Sequence, residues 1–290
     1  MKIVKVIGGL GNQMFQFALY KALQKQHPED RVLLDLHTFN GYHKHRGFEI
    51  GKVFGADYDE ASYLEVARLA YPYPNFLLWR IGSRILPVRS TMLKEKANFA
   101  YEPYVLTSQG NIYYDGYWQH EAYFKNIRED LLRVFAFPDF EDEQNHRTAR
   151  QAASAGSCSI HVRRGDYLTD PLRKGTTGSG YVLRAIKRMQ EMAQPDNWLV
   201  FSDDIAWCRE QLSVAIEQDK TTYVDWNSGD RSINDMHLMA LCRHHVIANS
   251  SFSWWGAWLS KHQDGVTIAP ERWMNMKDVC SPVPDKWIKI

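Results

Sequence analysis

Ser159-Ile160-His161-Val162-Arg163-Arg164-Gly165-Asp166 is the stretch from which the architecture follows. A short run of strand character ends abruptly in two arginines, a glycine and an acid. Such a run reads as a strand buried on both faces whose carboxyl end reaches a polar edge. Downstream the pattern repeats. Residues 180–194 carry apolar side chains at helical spacing, and Trp198-Leu199-Val200-Phe201 is a strand closing on Ser202-Asp203-Asp204. A helix passes through Trp207 and Leu212, and Thr222-Tyr223-Val224 is a strand. Residues 232–242 are helical, with Ser232 and Asp235 spaced like a capping box. Residues 245–248 form a strand, 251–261 a helix and 265–268 a last strand. Strands alternating with helices of this length predict a parallel sheet covered on both faces.

Upstream the chain starts in the same way, with a strand over residues 3–7, a helix over 12–26 and a strand over 31–36. The rhythm is lost between residues 37 and 100. It returns with a strand at Ile112-Tyr113-Tyr114 and a helix over 121–135. Residues 138–157 are polar, and Glu141-Asp142-Glu143 marks a helix start. The expected division is therefore into two doubly wound α/β domains, residues 1–155 and 156–290. Two such domains in tandem enclose a cleft, and ligands of open α/β sheets sit outside the carboxyl ends of the strands.

Composition narrows the function. The chain has 290 residues with a formal net charge of +1, so no global basic field draws in nucleic acid or an anionic membrane. An anionic ligand must instead meet a local cluster. Ten tryptophans suit stacking on sugars and bases, although filling the core is their ordinary use. Cys158, Cys208, Cys242 and Cys280 form no metal-ligand or redox spacing and read as buried, reduced thiols of a cytoplasmic protein. No apolar run reaches the length of a membrane span. Phe76-Leu77-Leu78-Trp79-Arg80-Ile81 comes nearest, and its arginines suit peripheral contact at the inner face of the plasma membrane.

Four constellations fall at strand ends. Gly8-Gly9-Leu10-Gly11-Asn12-Gln13 follows the first strand and opens a helix, which suits close approach of an anion to backbone. Asp35 ends the second strand, where a ribose-binding acid would lie, but Met14 replaces the third glycine of a dinucleotide fingerprint. A plain tight turn is the simpler reading of that loop. In His161-Val162-Arg163-Arg164-Gly165-Asp166, alternation puts His161 and Arg163 on one side and Arg164 on the other. One guanidinium can then fork onto a phosphate while the other pairs with an acid such as Asp166. Asp203 and Asp204 offer carboxylates for guanine or ribose, one of them being free to cap the next helix. Asn249-Ser250-Ser251-Phe252 supplies hydroxyls and N–H groups at a helix start.

A metal is not expected. The single Asp-x-Asp, Asp57-Tyr58-Asp59, lacks a preceding apolar strand, and His43, His45, His244 and His245 lack carboxylate support. Arginine and a helix N-terminus neutralise a diphosphate without one. These readings reach an anion-binding, two-domain α/β protein with an acid able to hold guanine.

The glycine loop continued to Met14-Phe15-Gln16-Phe17-Ala18, the His161–Tyr167 motif, Phe201-Ser202-Asp203-Asp204, and the stretch from Asp235 through Asn249 to Trp258 together resemble the bacterial α-1,2-fucosyltransferases of glycosyltransferase family 11. The resemblance spans nearly the whole chain. It implies a GT-B fold of two facing Rossmann-like domains, with GDP-β-L-fucose held by the C-terminal one and the acceptor by the N-terminal one. It implies inverting transfer to O2 of a terminal galactose without metal or cofactor. Arg163 then clamps the leaving β-phosphate. Gly11, His161, Asp203, Asp204, Asn249, Ser250, Ser251 and Phe252 take the rest of the donor, and Arg164 and Asp166 give structural support. Asn12 lies near the reacting centre. The base that deprotonates the acceptor stays open among Asp35, His45, Glu49, Asp115 and His120, with Asp35 favoured. Tyr42, Trp79, Tyr101 and Tyr104 are expected in the acceptor wall. Two other classes compete: a nicotinamide-dependent oxidoreductase built on Gly9-x-Gly11 and Asp35, and a non-catalytic GDP-sugar or glycan-binding protein. The first leaves Arg163, Arg164 and the serines idle.

Overall fold

The computed structural model describes residues 1–96, 99–277 and 279–290. The chain divides into two compact units, Met1–Pro138 and Asp139–Ile290.

The first unit contains β1 (Lys2–Lys5), α1 (Leu10–Gln26), β2 (Val32–Asp35), α2 (Ile50–Phe54), α3 (Tyr63–Leu69), α4 (Phe76–Ile85), β3 (Met92–Lys94), α5 (Tyr104–Thr107), β4 (Ile112–Asp115) and α6 (Arg128–Val134). Its four parallel strands run in the order β2-β1-β4-β3. β1 is central and fully buried, down to its two lysines. Burying a lysine requires partners. Lys2 Nζ donates to the Ser108 carbonyl at 2.7 Å, and Lys5 is paired with Asp115 on β4. The rhythmless stretch resolves into helices of five to ten residues and the three-residue β3. The helix expected over residues 121–135 is instead two 3-10 turns, Glu121–Tyr123 and Lys125–Ile127, leading into α6.

The second unit contains α7 (Glu143–Ala152), β5 (Ser157–Val162), α8 (Ser179–Ala193), β6 (Asn197–Ser202), α9 (Ile205–Leu212), β7 (Thr221–Val224), α10 (Ile233–Leu241), β8 (His244–Val246), α11 (Ser251–Trp258), β9 (Thr267–Ala269) and β10 (Ile288–Lys289). The parallel order β10-β9-β8-β5-β6-β7 is that of a six-stranded Rossmann sheet. Both halves of the expected GT-B composition, two parallel-sheet α/β units, are thus present. Alternation splits the core. Cys158, Ile160, Val162, Trp198 and Val200 pack with α8 and α9. Leu199, Phe201 and Val224 pack with α7 and α10. At Gly256 a Cβ would lie 2.9 Å from Met239 Cβ, so glycine sets how closely α11 approaches α10. Trp254, Trp255 and Trp258 are buried, so these three tryptophans build core.

Three expectations need correction. The division falls at Pro138/Asp139 and not at 155/156, because α7, capped by Asp142, packs against β5 and α10. Ser232 makes no side-chain cap, since Asp235 is turned inward to accept a hydrogen bond from Asn227 at 2.9 Å. The capping box is at Ser62 and Glu65, ahead of α3. Of the cysteines, Cys158, Cys208 and Cys242 are buried, but Cys280 is exposed.

Candidate functional site

In each unit the strand order reverses once, and the crevice at such a switch point is where an open α/β sheet takes its ligand. In the second unit the switch lies between β5 and β8. His161, Arg163 and the segment 249–252 all stand at or just beyond the carboxyl ends of those two strands.

His161 is 8 % exposed, and its Nδ1 is buried without a hydrogen-bond partner among the described residues. Burial and the nearby Arg163 push its pKa down to about 3, so the ring is neutral. Its ring lies 6.0 Å, centroid to centroid, from that of Phe252 on α11. A buried nitrogen left unpaired is costly in a finished core and serviceable at a ligand site.

Arg163 continues the His161 face. Its Nη2 donates to Asp166 Oδ1 at 2.9 Å, and its Nε lies 3.2 Å from Asp203 Oδ2. Arg164 turns to the opposite face, as alternation required. Its Nε donates to Asp204 Oδ2 at 2.9 Å and its guanidinium lies 4.1 Å from the centre of the Trp207 ring. The pairing therefore differs from expectation: Asp166 partners Arg163, and Arg164 partners Asp204. Asp204 also caps α9 by accepting the Trp207 N–H at 3.1 Å. Hydrogen bonds from Arg164 and Trp207 hold its carboxyl below the ordinary range. Asp203 is not unoccupied either, because it accepts the Arg164 N–H at 2.8 Å. Gly165 permits this bridge between β5 and β6, since a Cβ there would lie 2.6 Å from Asp203 Oδ2.

Ser250 caps α11 by accepting the Phe252 N–H at 3.3 Å, and Ser251 opens the helix half-buried. The first N–H groups of a helix are anion donors. Asn249 has a different use from that expected of it. It is 2 % exposed, donates to Thr176 Oγ1 and the Trp273 carbonyl at 2.9 Å, and accepts from Thr177 at 3.1 Å. Tyr167 donates to its carbonyl at 3.0 Å. Asn249 thus ties down the loop that presents the serines.

In the first unit the switch lies between β1 and β4. Asn12, in the first turn of α1, accepts from Gln119 Nε2 at 2.8 Å, joining the loops after those strands. Gly11 is buried beside it. Gln13, the last residue of that glycine loop motif, is fully buried; it donates to the Gly8 and Gly47 carbonyls and accepts the Glu49 N–H. Gln16 accepts the Ile7 N–H and donates to the Gly116 carbonyl, both at 3.0 Å.

Asp35 does not suit a general base. It is 3 % exposed, one oxygen accepts from His37 and the other from Tyr113 at 2.6 Å. Burial works to raise its pKa, but the His37 and Tyr113 hydrogen bonds outweigh it and hold the carboxyl below the ordinary value. Asp115 is committed to Lys5, and His120 Nδ1 accepts the Ala122 N–H at 3.1 Å. Tyr42 packs on Phe76 and Tyr101 on Tyr123, Trp79 lies over Lys5, and Tyr104 stays exposed.

Glu95 escaped the sequence reading. It follows β3, accepts the Tyr117 and Trp118 N–H groups at 2.6 and 2.8 Å, and burial pushes its pKa up to about 7. No local pattern marks it, because its partners lie 22 and 23 positions away. Among the described residues, no three His, Cys, Asp or Glu side chains come together as a metal site.

Comparison with known proteins follows the same lines. The family model described as "Glycosyl transferase family 11" matches residues 86–289. An Escherichia coli alpha-1,2-colitosyltransferase is 32% identical over 295 residues, covering 99% of this chain and 98% of its own. The Escherichia coli O-antigen biosynthesis glycosyltransferase WbnK is 28% identical, covering 98% of each. A galactoside alpha-(1,2)-fucosyltransferase 2 of Oryctolagus cuniculus is 23% identical, covering 90% of this chain and 67% of its own. The chain belongs to glycosyl transferase family 11.

Proposed function

We propose that this glycosyltransferase moves L-fucose from GDP-β-L-fucose to O2 of a terminal galactose, with inversion and without a metal. The observation that carries the reading is the β5–β8 switch point. There a guanidinium, a buried unpaired imidazole nitrogen and a serine-capped helix N-terminus converge. A nucleoside diphosphate has the complementary chemistry.

In this reading Arg163 exchanges a carboxylate for the β-phosphate. Negative charge grows on the GDP oxygen as the glycosidic bond breaks, so a fixed guanidinium favours the transition state over the ground state. Ser250, Ser251 and the Phe252 N–H add donors to the same phosphate. His161 and Asp203 hold ribose and guanine, while Arg164 and Asp204 lock the carboxyl end of β6. Attack by the acceptor hydroxyl from the face opposite GDP inverts the anomeric centre, and a general base takes the hydroxyl proton. Three buried, free thiols suit a reducing compartment, so we place the reaction in the cytoplasm.

A second donor has support in the 32%-identical relative named for colitose, which is L-fucose lacking the 3-hydroxyl. Incubating the chain with lactose and either GDP-fucose or GDP-colitose, in EDTA, separates the cases. The expected product is α-1,2-fucosyl-lactose. Transfer of colitose alone would move the donor assignment while keeping the site. Tight GDP binding with no transfer to any galactoside would leave a binding protein, and no GDP binding would remove the proposal.

A further inference from the structure

Six of the sixteen exposed large hydrophobic residues among those described fall within residues 77–88: Leu77, Leu78, Ile81, Ile85, Leu86 and Val88. Four of them sit on α4 at the spacing of a single stripe, and Leu77 and Ile85 are 62 % and 73 % exposed. The opposite side of the helix is seated in the first unit. Gly82 is buried against the Tyr73 ring with no room for a Cβ, the Phe76 ring packs tilted on Tyr42 with centroids 4.6 Å apart, and the centre of the Trp79 ring lies 4.3 Å from Lys5 Nζ. The outward stripe is therefore held rigidly by glycine and aromatic contacts on the other face. Arg80 and Arg84, one turn apart, stand exposed along its edge. Between Glu65 and Glu95 the chain carries five basic residues and no acid.

We infer that α4 and the turn after it dock on an anionic lipid surface. No helix of the described residues is long and apolar enough to cross a membrane. A ten-residue helix with an aliphatic stripe and a cationic edge lies in the interface plane, its apolar side chains below the headgroups and its arginines among the phosphates. Charge selects this occupant over a second copy. A two-fold contact through this face would set Arg80 and Arg84 against their own kind, with no carboxylate in the segment to neutralise them. Docking here places the chain beside acceptors carried on lipid, and it does not depend on the identity of the donor.

Flotation of the whole chain with vesicles tests the inference. Vesicles of phosphatidylcholine mixed with phosphatidylglycerol should carry the protein, more weakly as salt rises, and phosphatidylcholine alone should carry far less. The triple variant Leu77→Ser, Ile81→Ser, Ile85→Ser should lose on the order of tenfold or more in partitioning, from the apolar area withdrawn. Arg80→Gln with Arg84→Gln should lose on the order of tenfold on the mixed vesicles only. Both variants should keep the wild-type melting transition and the wild-type rate on a soluble acceptor, which separates lost docking from lost folding. Failure of the wild type to float with mixed vesicles would overturn the inference. So would unchanged flotation of the triple variant, or a wild-type dimer that this variant dissolves.

Discussion

Arg163 holds two carboxylates at once, Asp166 and Asp203, and the two contacts are not equivalent. The Asp166 side chain is 63 % exposed, and an ion pair so open to water contributes little. Asp203 is less exposed and is also fixed by the Arg164 N–H, so it sets where the guanidinium points. The clamp should therefore survive loss of Asp166 and not loss of Arg163. Arg163→Ala should lower kcat by on the order of 10²–10³-fold, the scale of removing one charge-stabilising donor from a transition state. Asp166→Asn should stay within a few-fold of wild type. Steady-state rates with saturating GDP-sugar distinguish the two. Equal losses would mean that the carboxylate itself works on the substrate.

At the scale of elements, Gln16 acts as a strut between strand ends that are far apart in sequence. Its oxygen takes the Ile7 N–H after β1 and its nitrogen donates to the Gly116 carbonyl after β4. Gln16→Leu keeps the volume and orphans both backbone groups, which should cost about 1–3 kcal/mol for each left buried. A urea midpoint falling by that equivalent, with the Asn12–Gln119 contact loosened, is the expected outcome; an unchanged midpoint would show that the loops hold without the strut. The same residue shows where legibility ends. A glutamine inside a helix has no local signature of a strut, because the groups it satisfies are nine and one hundred positions away. Long-range pairing hides Glu95 in the same way. What was legible is what periodicity and chain order encode locally: β5, β6 and the charged residues at their ends, where a buried strand must stop. The stretch 37–100 was not, since helices as short as α2 and α3 owe their existence to packing and not to propensity. The two-residue β10 exists because β9 offers it an edge.

For the whole molecule, buried titrating groups set how stability responds to pH, and they pull in opposite directions. Burial pushes Asp235, on α10, and Glu95, after β3, up to about 7. Between their ordinary values and 7 the folded chain binds protons that the unfolded chain has released, so these two groups lose stability as pH rises toward 7. Burial pushes His161 and His245 down to about 3. Between 3 and 6.5 the unfolded chain binds protons that the folded chain refuses, so these two groups gain stability over the same rise. Two acids against two histidines should leave the wild type nearly flat between pH 4.5 and 6.5, with a steep fall below pH 4. The balance is unequal by unit. His161, His245 and Asp235 belong to Asp139–Ile290, whereas Glu95 belongs to Met1–Pro138. Asp235→Asn removes the only opposing acid of the four from the second unit and keeps an amide that Asn227 can still meet. Its stability should therefore climb with pH from 4.5 to 6.5 and exceed wild type near pH 7 by up to a few kcal/mol, at about 1.4 kcal/mol for each unit of pKa shift. Denaturant midpoints of wild type and variant at half-unit steps between pH 4 and 7.5 measure it. Parallel curves would show that Asp235 is ionised in the folded chain despite its burial.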